Sequence, residues 1–261
     1  VLKNIAFLII LSATFGAFAD GFSADVVAGC SSLADTSVAE NVRILIIGIE
    51  GTNEFAASDA DALFSYSIAR KKGPVGNPHP TLRKHGGLLT DGILFPLLHA
   101  FGDQIDAISL DFNNPFNNGF GNALTCAQQW MAVPDHKIMI IGHSTGAQQA
   151  IQLANSFNEN HIPVDTLVTI DAIPLMDIFT GVTKLEAPRG VARYLNFYQT
   201  VDRDPIFHGQ PATNADVNKM VSDVKGHFTV TASKIIYQDL FDRVSLSLVN
   251  GVAEGARFES E

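Results

Sequence analysis

The chain has 261 residues, 46% of them apolar, and carries 17 basic against 27 acidic residues for a formal net charge of -10. One large core fits within that length, so no second folding domain is required. The acidic balance argues against nucleic acid or an anionic membrane as an electrostatically driven partner.

At the start of the chain, Lys3 supplies a basic residue, Ile5 to Phe15 an apolar run, and Ala17-Phe18-Ala19 a small-x-small site before Asp20. That order predicts a secretory signal peptide over residues 1–19 and an N-terminal segment over 20–42. The apolar run is shorter than the roughly 20 residues a helix needs to cross a bilayer. A secreted or periplasmic product is therefore expected. Val27-Ala28-Gly29-Cys30 is similar to a bacterial lipobox, which would place a lipid anchor at Cys30, but Asp20 and Asp25 separate it from the apolar run. The alternative use of Cys30 is a disulfide with Cys126, the only other cysteine, which an oxidising compartment permits.

From residue 43 to 261 strand-like and helix-like stretches alternate. Strands are predicted at Arg43 to Ile49, Ala107 to Phe112, Lys137 to Ile141, Thr166 to Ile170 and Arg193 to Gln199. Continuous apolar runs such as Ile44-Leu45-Ile46-Ile47 suit strands buried on both faces of a parallel sheet. Helices are predicted at Ser58 to Lys71, Gly87 to Phe101, Asn122 to Met131, Ala147 to Phe157 and Ser233 to Asn250. The alternation predicts an α/β fold, a three-layer sandwich with a mostly parallel central sheet. Gly73 to Pro80 and Asn113 to Gly121 read as long loops, the second carrying Phe116 and Phe120 as candidate pocket residues. No HExxH, CxxC pair or P-loop occurs, so no metal and no cofactor is implied.

The pentapeptide Gly142-His143-Ser144-Thr145-Gly146 closes one predicted strand and opens the next predicted helix. A Gly-x-Ser-x-Gly in that setting reads as a nucleophile elbow, in which a serine at the tip of a strained turn is exposed above the sheet. Residues two before and two after it must be small, because a Cβ there would crowd the neighbouring strand or the first helical turn. Ala147, Ala150, Ile151 and Ala154 give the helix a small-residue face that can pack closely on a sheet.

A serine hydroxyl needs a general base, usually histidine, and an acid that holds the histidine in its working tautomer. Of eight histidines, only His161, His208 and His227 follow Ser144. His161 directly follows the elbow helix, at the wrong edge of the sheet. His227, in a loop leading to the final helix, is the better-placed base, with His208 as the alternative. Two acids end predicted strands: Asp171 after Leu167 to Ile170, and Asp202 after Arg193 to Gln199. Both positions lie at the strand edge where open α/β sheets build their sites.

On these residues the chain resembles the α/β-hydrolase superfamily, in particular its lipase-like and esterase-like members, over roughly Arg43 to the last helix. Thr166 to Pro174 looks like the segment in which pancreatic-type lipases carry the triad acid, and similar bacterial hydrolases carry an Asn-Phe-Tyr-Gln strand, here Asn196 to Gln199. The resemblance thus favours Asp171, while Val201-Asp202-Arg203-Asp204-Pro205 is similar to the later acid of fungal-type lipases. It also implies an oxyanion hole from the Thr145 N–H and from the turn Gly51-Thr52-Asn53, where Thr52 or Asn53 would donate. Glu50 stands where an arginine is common in that family. The implied activity is that of an exported serine hydrolase cleaving a small-molecule or lipid acyl ester through Ser144, Asp171 and His227. Thioester or amide hydrolysis on the same fold, or a non-catalytic exported binding protein, are the alternatives.

Overall fold

The structure is a computed structural model and describes residues 43–51, 88–110, 119–173, 185–203 and 205–249. The predicted signal peptide, the segment 20–42, Cys30, Thr52, Asn53, the helix at Ser58 to Lys71, the loop at Gly73 to Pro80 and Phe116 lie outside the described residues. Strands β1 (Ile44–Ile49), β2 (Ile105–Leu110), β3 (Lys137–His143), β4 (Val164–Ile170), β5 (Val191–Tyr198) and β6 (Val217–Met220) form one sheet in the order β2-β1-β3-β4-β5-β6. Every neighbouring pair is parallel.

Parallel strands need crossovers, and the helices that make them cover both faces. On one face Leu45, Ile47, Ile138, Ile140 and Leu167 pack with α2 (Gly119–Met131) and α3 (Thr145–Glu159). On the other, Ile44, Ile46, Met139, Ile141 and Val168 pack with α1 (Phe95–Phe101) and α4 (Lys234–Val249). Alternate residues of each strand therefore enter opposite cores, which is why the strands read as unbroken apolar runs. The architecture is the expected three-layer α/β sandwich.

Three details differ from the sequence reading. The helix before β2 is α-helical at Leu88 and Leu89, widens to a π turn at Thr90–Leu94 and returns to α-helix at Phe95. Pro96, at the beginning of α1, has no N–H to give, so the missing donor falls where the helical register changes. Helix α2 begins at Gly119 rather than Asn122, and Phe120 packs against the core instead of lining a loop. Strand β6 was not expected: it is four residues long, mostly exposed and polar, an edge strand without the apolar pattern that marks the interior ones. Cys126 is buried on α2 and is disulfide-bonded.

Candidate active site

The parallel registers place Ile49 opposite Gly142, His143 opposite Ile170, and Ile170 opposite Phe197. The C-terminal ends of β1, β3, β4 and β5 thus form one edge. Ser144 follows β3 there with φ 58° and ψ -125°, a left-handed conformation that costs a non-glycine residue on the order of 1–3 kcal/mol. The turn is held by its surroundings: the Ser144 N–H donates to the Ile170 carbonyl at 2.9 Å. A Cβ on Gly142 would meet the Gly146 carbonyl oxygen, and one on Gly146 would meet the carbonyl oxygens of Ile49 and Glu50. Both glycines are therefore demanded by close approach, as the elbow reading requires. Thr145 is the first residue of α3 and nearly buried, so its main chain sits at the positive end of a 15-residue helix.

His227 reaches Ser144 from the other side. It opens a 3-10 turn, His227–Ala232, that leads into α4. Its Nε2 lies 2.8 Å from Ser144 Oγ, and its Nδ1 lies 2.7 Å from Asp171 Oδ2. A carboxylate can only accept, so Nδ1 carries the proton, which leaves the Nε2 lone pair to accept from the serine hydroxyl. Ser144, His227 and Asp171 are 4%, 1% and 0% exposed. A line of hydrogen bonds shielded in this way is electrostatically stronger than the same line in water.

Asp171 ends β4 with φ 49°, which turns its carboxylate toward His227. Its orientation is fixed by Gln199, the residue after β5. The Gln199 N–H donates to Asp171 Oδ1 at 3.1 Å, and the Gln199 amide Nε2 donates to Oδ2 at 2.9 Å. The same amide nitrogen donates to the Phe207 carbonyl at 2.7 Å, while Oε1 accepts from the N–H groups of Val201 and Asp202 at 2.8 and 2.9 Å. Gln199 therefore ties the acid to the loop that follows β5. Sequence reasoning placed Gln199 at the end of a strand and gave it no role, because an isolated glutamine carries no signal of what its amide will face.

The two acids divide the work of holding one histidine. Asp171 faces the ring, and Asp202 Oδ2 accepts the His227 backbone N–H at 3.0 Å. His208 is turned away to a different task, donating from Nε2 to the Asp202 carbonyl at 2.8 Å. His161 lies in the exposed turn after α3, at the other edge. Behind the acid, Thr169 donates to Asn196 Oδ1 at 2.7 Å and lies 3.0 Å from the Tyr194 hydroxyl. Burial pushes that hydroxyl up to about 12, against the smaller opposing effect of the Thr169 bond, so the network stays neutral.

Glu50 closes β1 and is fully buried. Its carboxylate accepts the Leu89 and Thr90 N–H groups at 2.9 and 2.7 Å, at the start of the helix that leads into α1. Where the resemblance would place an arginine, this chain thus uses an anion at a helix N-terminus. Three aromatic rings surround His227: His143 and Phe207 stack on it with centroids at 4.9 and 5.6 Å, and Phe228 meets it edge-on at 5.3 Å. Among the described residues no group of three His, Cys, Asp or Glu side chains is arranged to hold a metal ion.

No protein-family model matches the chain, and comparison with curated proteins returns no match. Solved structures do show a likeness. Human thioesterase 2 is 10% identical, with 82% of this chain and 100% of that one covered and a TM-score of 0.44. The carboxylesterase EstE1, cloned from a metagenomic library, is 12% identical over 80% of each chain with a TM-score of 0.43. The RedJ thioesterase of Streptomyces coelicolor is 10% identical over 80% of this chain and 92% of that one, with a TM-score of 0.40. The three-layer α/β architecture rests on this chain's own all-parallel sheet and the helices on both of its faces.

Proposed function

We propose that this protein is a serine hydrolase that cleaves carboxylic ester bonds through an acyl-enzyme on Ser144. The observation that carries the proposal is the buried line Asp171, His227, Ser144, joined at 2.7 and 2.8 Å. In the first half-reaction His227 Nε2 takes the serine proton as Oγ attacks the carbonyl carbon. Asp171 stabilises the imidazolium that forms, and the N-terminus of α3, with the Thr145 N–H, faces the developing oxyanion. Thr52 or Asn53 is proposed as the second oxyanion donor. Collapse of the tetrahedral intermediate breaks the ester C–O bond, and His227 returns its proton to the departing alcohol. Water then repeats the sequence on the acyl-enzyme and frees the acid.

Fold alone does not choose a chemistry, so the test is made on the serine. The wild-type protein is expected to hydrolyse a short acyl ester and to take up a fluorophosphonate probe at Ser144. Ser144→Ala is expected to abolish both, with a loss on the order of 10⁶-fold in kcat. Full activity in that variant would overturn the reading, and a folded wild-type protein that neither labels nor hydrolyses would point to a binding protein. Export to an oxidising compartment belongs to the same proposal and is supported by the disulfide at Cys126.

A further inference from the structure

Phe228 directly follows His227 and is 57% exposed, although every member of the buried line beside it is almost fully covered. A large aromatic side chain left in solvent next to a reactive group is not accounted for by core packing. It is also not isolated. The Phe228 and Phe207 rings lie 5.6 Å apart at 56°, within the range of favourable aromatic pairs, and each lies within 5.6 Å of the His227 ring. Phe207 is held in place through its carbonyl, which accepts the Gln199 amide at 2.7 Å. Its place beside the histidine is therefore set by the residue that also orients Asp171.

We infer that Phe207 and Phe228 form the leaving-group subsite of this enzyme, and that its preferred esters carry an aromatic alcohol. The inference rests on the esterase reading above and specifies its substrate. The reasoning follows the proton. As Ser144 Oγ forms its bond to the acyl carbon, the ester C–O bond breaks and the electron pair goes to the alcohol oxygen. His227 Nε2 then delivers to that oxygen the proton taken from the serine. The first carbons of the alcohol must therefore lie against the imidazole, and of the three rings that border it His143 is fully buried, which leaves Phe207 and Phe228 as the accessible ones. A benzyl group there adds a third ring to an existing aromatic pair, whereas a methyl group leaves the exposed face of Phe228 uncovered.

The test compares two esters of one acid, benzyl acetate and methyl acetate, through kcat/KM, which reports formation of the acyl-enzyme. Wild-type protein is expected to favour the benzyl ester. In Phe228→Ala the ratio of the two kcat/KM values is expected to fall by about tenfold, the scale of one aromatic pair. Intrinsic reactivity cancels when the wild-type and variant ratios are compared. Phe228→Leu, which keeps apolar area and loses the ring, is expected to fall between them. Leu246→Ala, which removes an equally exposed apolar side chain from α4, is expected to leave the ratio where it is. A ratio in Phe228→Ala within twofold of wild type, in protein that still labels with a fluorophosphonate, would overturn the subsite and leave the esterase reading intact. A wild-type protein that labels with nothing and hydrolyses neither ester would overturn both.

Discussion

At the scale of single residues, the candidate site turns on which atom of His227 each acid holds. Asp171 Oδ2 contacts Nδ1 of the ring, and Asp202 Oδ2 accepts the main-chain N–H. Loss of the first removes the group that keeps the imidazole in its working tautomer and stabilises its charged form. Loss of the second removes one backbone hydrogen bond, worth about 0.5–1.5 kcal/mol, or more for a charged acceptor. Asp171→Asn is therefore expected to lower kcat on the order of 10⁴-fold, and Asp202→Asn by roughly tenfold or less. Steady-state kinetics on the two variants side by side would check this, and equal losses would refute the division of roles. Position along the chain could not make this distinction, and only the resemblance of Thr166 to Pro174 to lipases favoured Asp171. Both aspartates end strands before the histidine, and the choice depends on the φ of 49° at Asp171 and on the Gln199 amide, neither of which leaves a mark in residue type. Ser144 was legible for the opposite reason, because the close approaches at Gly142 and Gly146 exclude any other residue and so appear as fixed glycines.

At the scale of elements, interior strands announced themselves and the edge did not. β1 and β3 are covered on both faces, so nearly every position is apolar, whereas β6 has Val217, Asn218 and Met220 exposed and looks like a loop. Helix α4 was equally legible from Ile236, Leu240 and Val244, which are fully buried. Its N-terminus, however, is capped from a distance. Asp223 accepts the Ser233 hydroxyl at 2.7 Å and the Lys234 and Ile235 N–H groups at 2.9 and 3.4 Å. Burial works to raise the Asp223 carboxyl, but the bonds from Ser233, Ile235 and Lys234 together hold it below the usual carboxylate range. A carboxyl with a lowered folded value contributes stability above its unfolded value and loses it as pH falls through the folded one. Asp223→Ala is thus expected to cost about 1 kcal/mol at neutral pH, as for other lost caps, with the difference from wild type shrinking as the solution is acidified below pH ~3.8. Denaturant melts at two pH values would show it, and a penalty independent of pH would rule out the charged cap. The same turn carries His227 at its start, so the cap also steadies the approach of the base to Ser144.

At the scale of the whole molecule, the sheet joins two cores and the chemistry sits on its C-terminal edge, but one covalent tie reaches outside this frame. Cys126 lies on α2, is only 1% exposed, and packs with Ala123, Ala127 and Trp130 in the core facing α3. It is disulfide-bonded, and the chain's only other cysteine is Cys30. Disulfides persist in oxidising compartments and are rare where glutathione keeps thiols reduced. A cysteine committed to a disulfide cannot also carry a thioether-linked lipid, so the two readings of Cys30 exclude each other. Digestion of the protein without reductant is therefore expected to yield a Cys30 peptide joined to a Cys126 peptide, which reductant separates. An N-terminal acylated Cys30, or a mass showing both thiols free, would overturn this. Closing a loop of roughly 100 residues restricts the unfolded chain, so reduction is expected to lower stability by about 2–5 kcal/mol and to lower Tm accordingly. Ser144, His227 and Asp171 are joined through β3, β4 and the turn before α4, none of which contains a cysteine. Reduced protein held below its lowered Tm should consequently still label at Ser144, which separates a tie that protects the fold from one that builds the site.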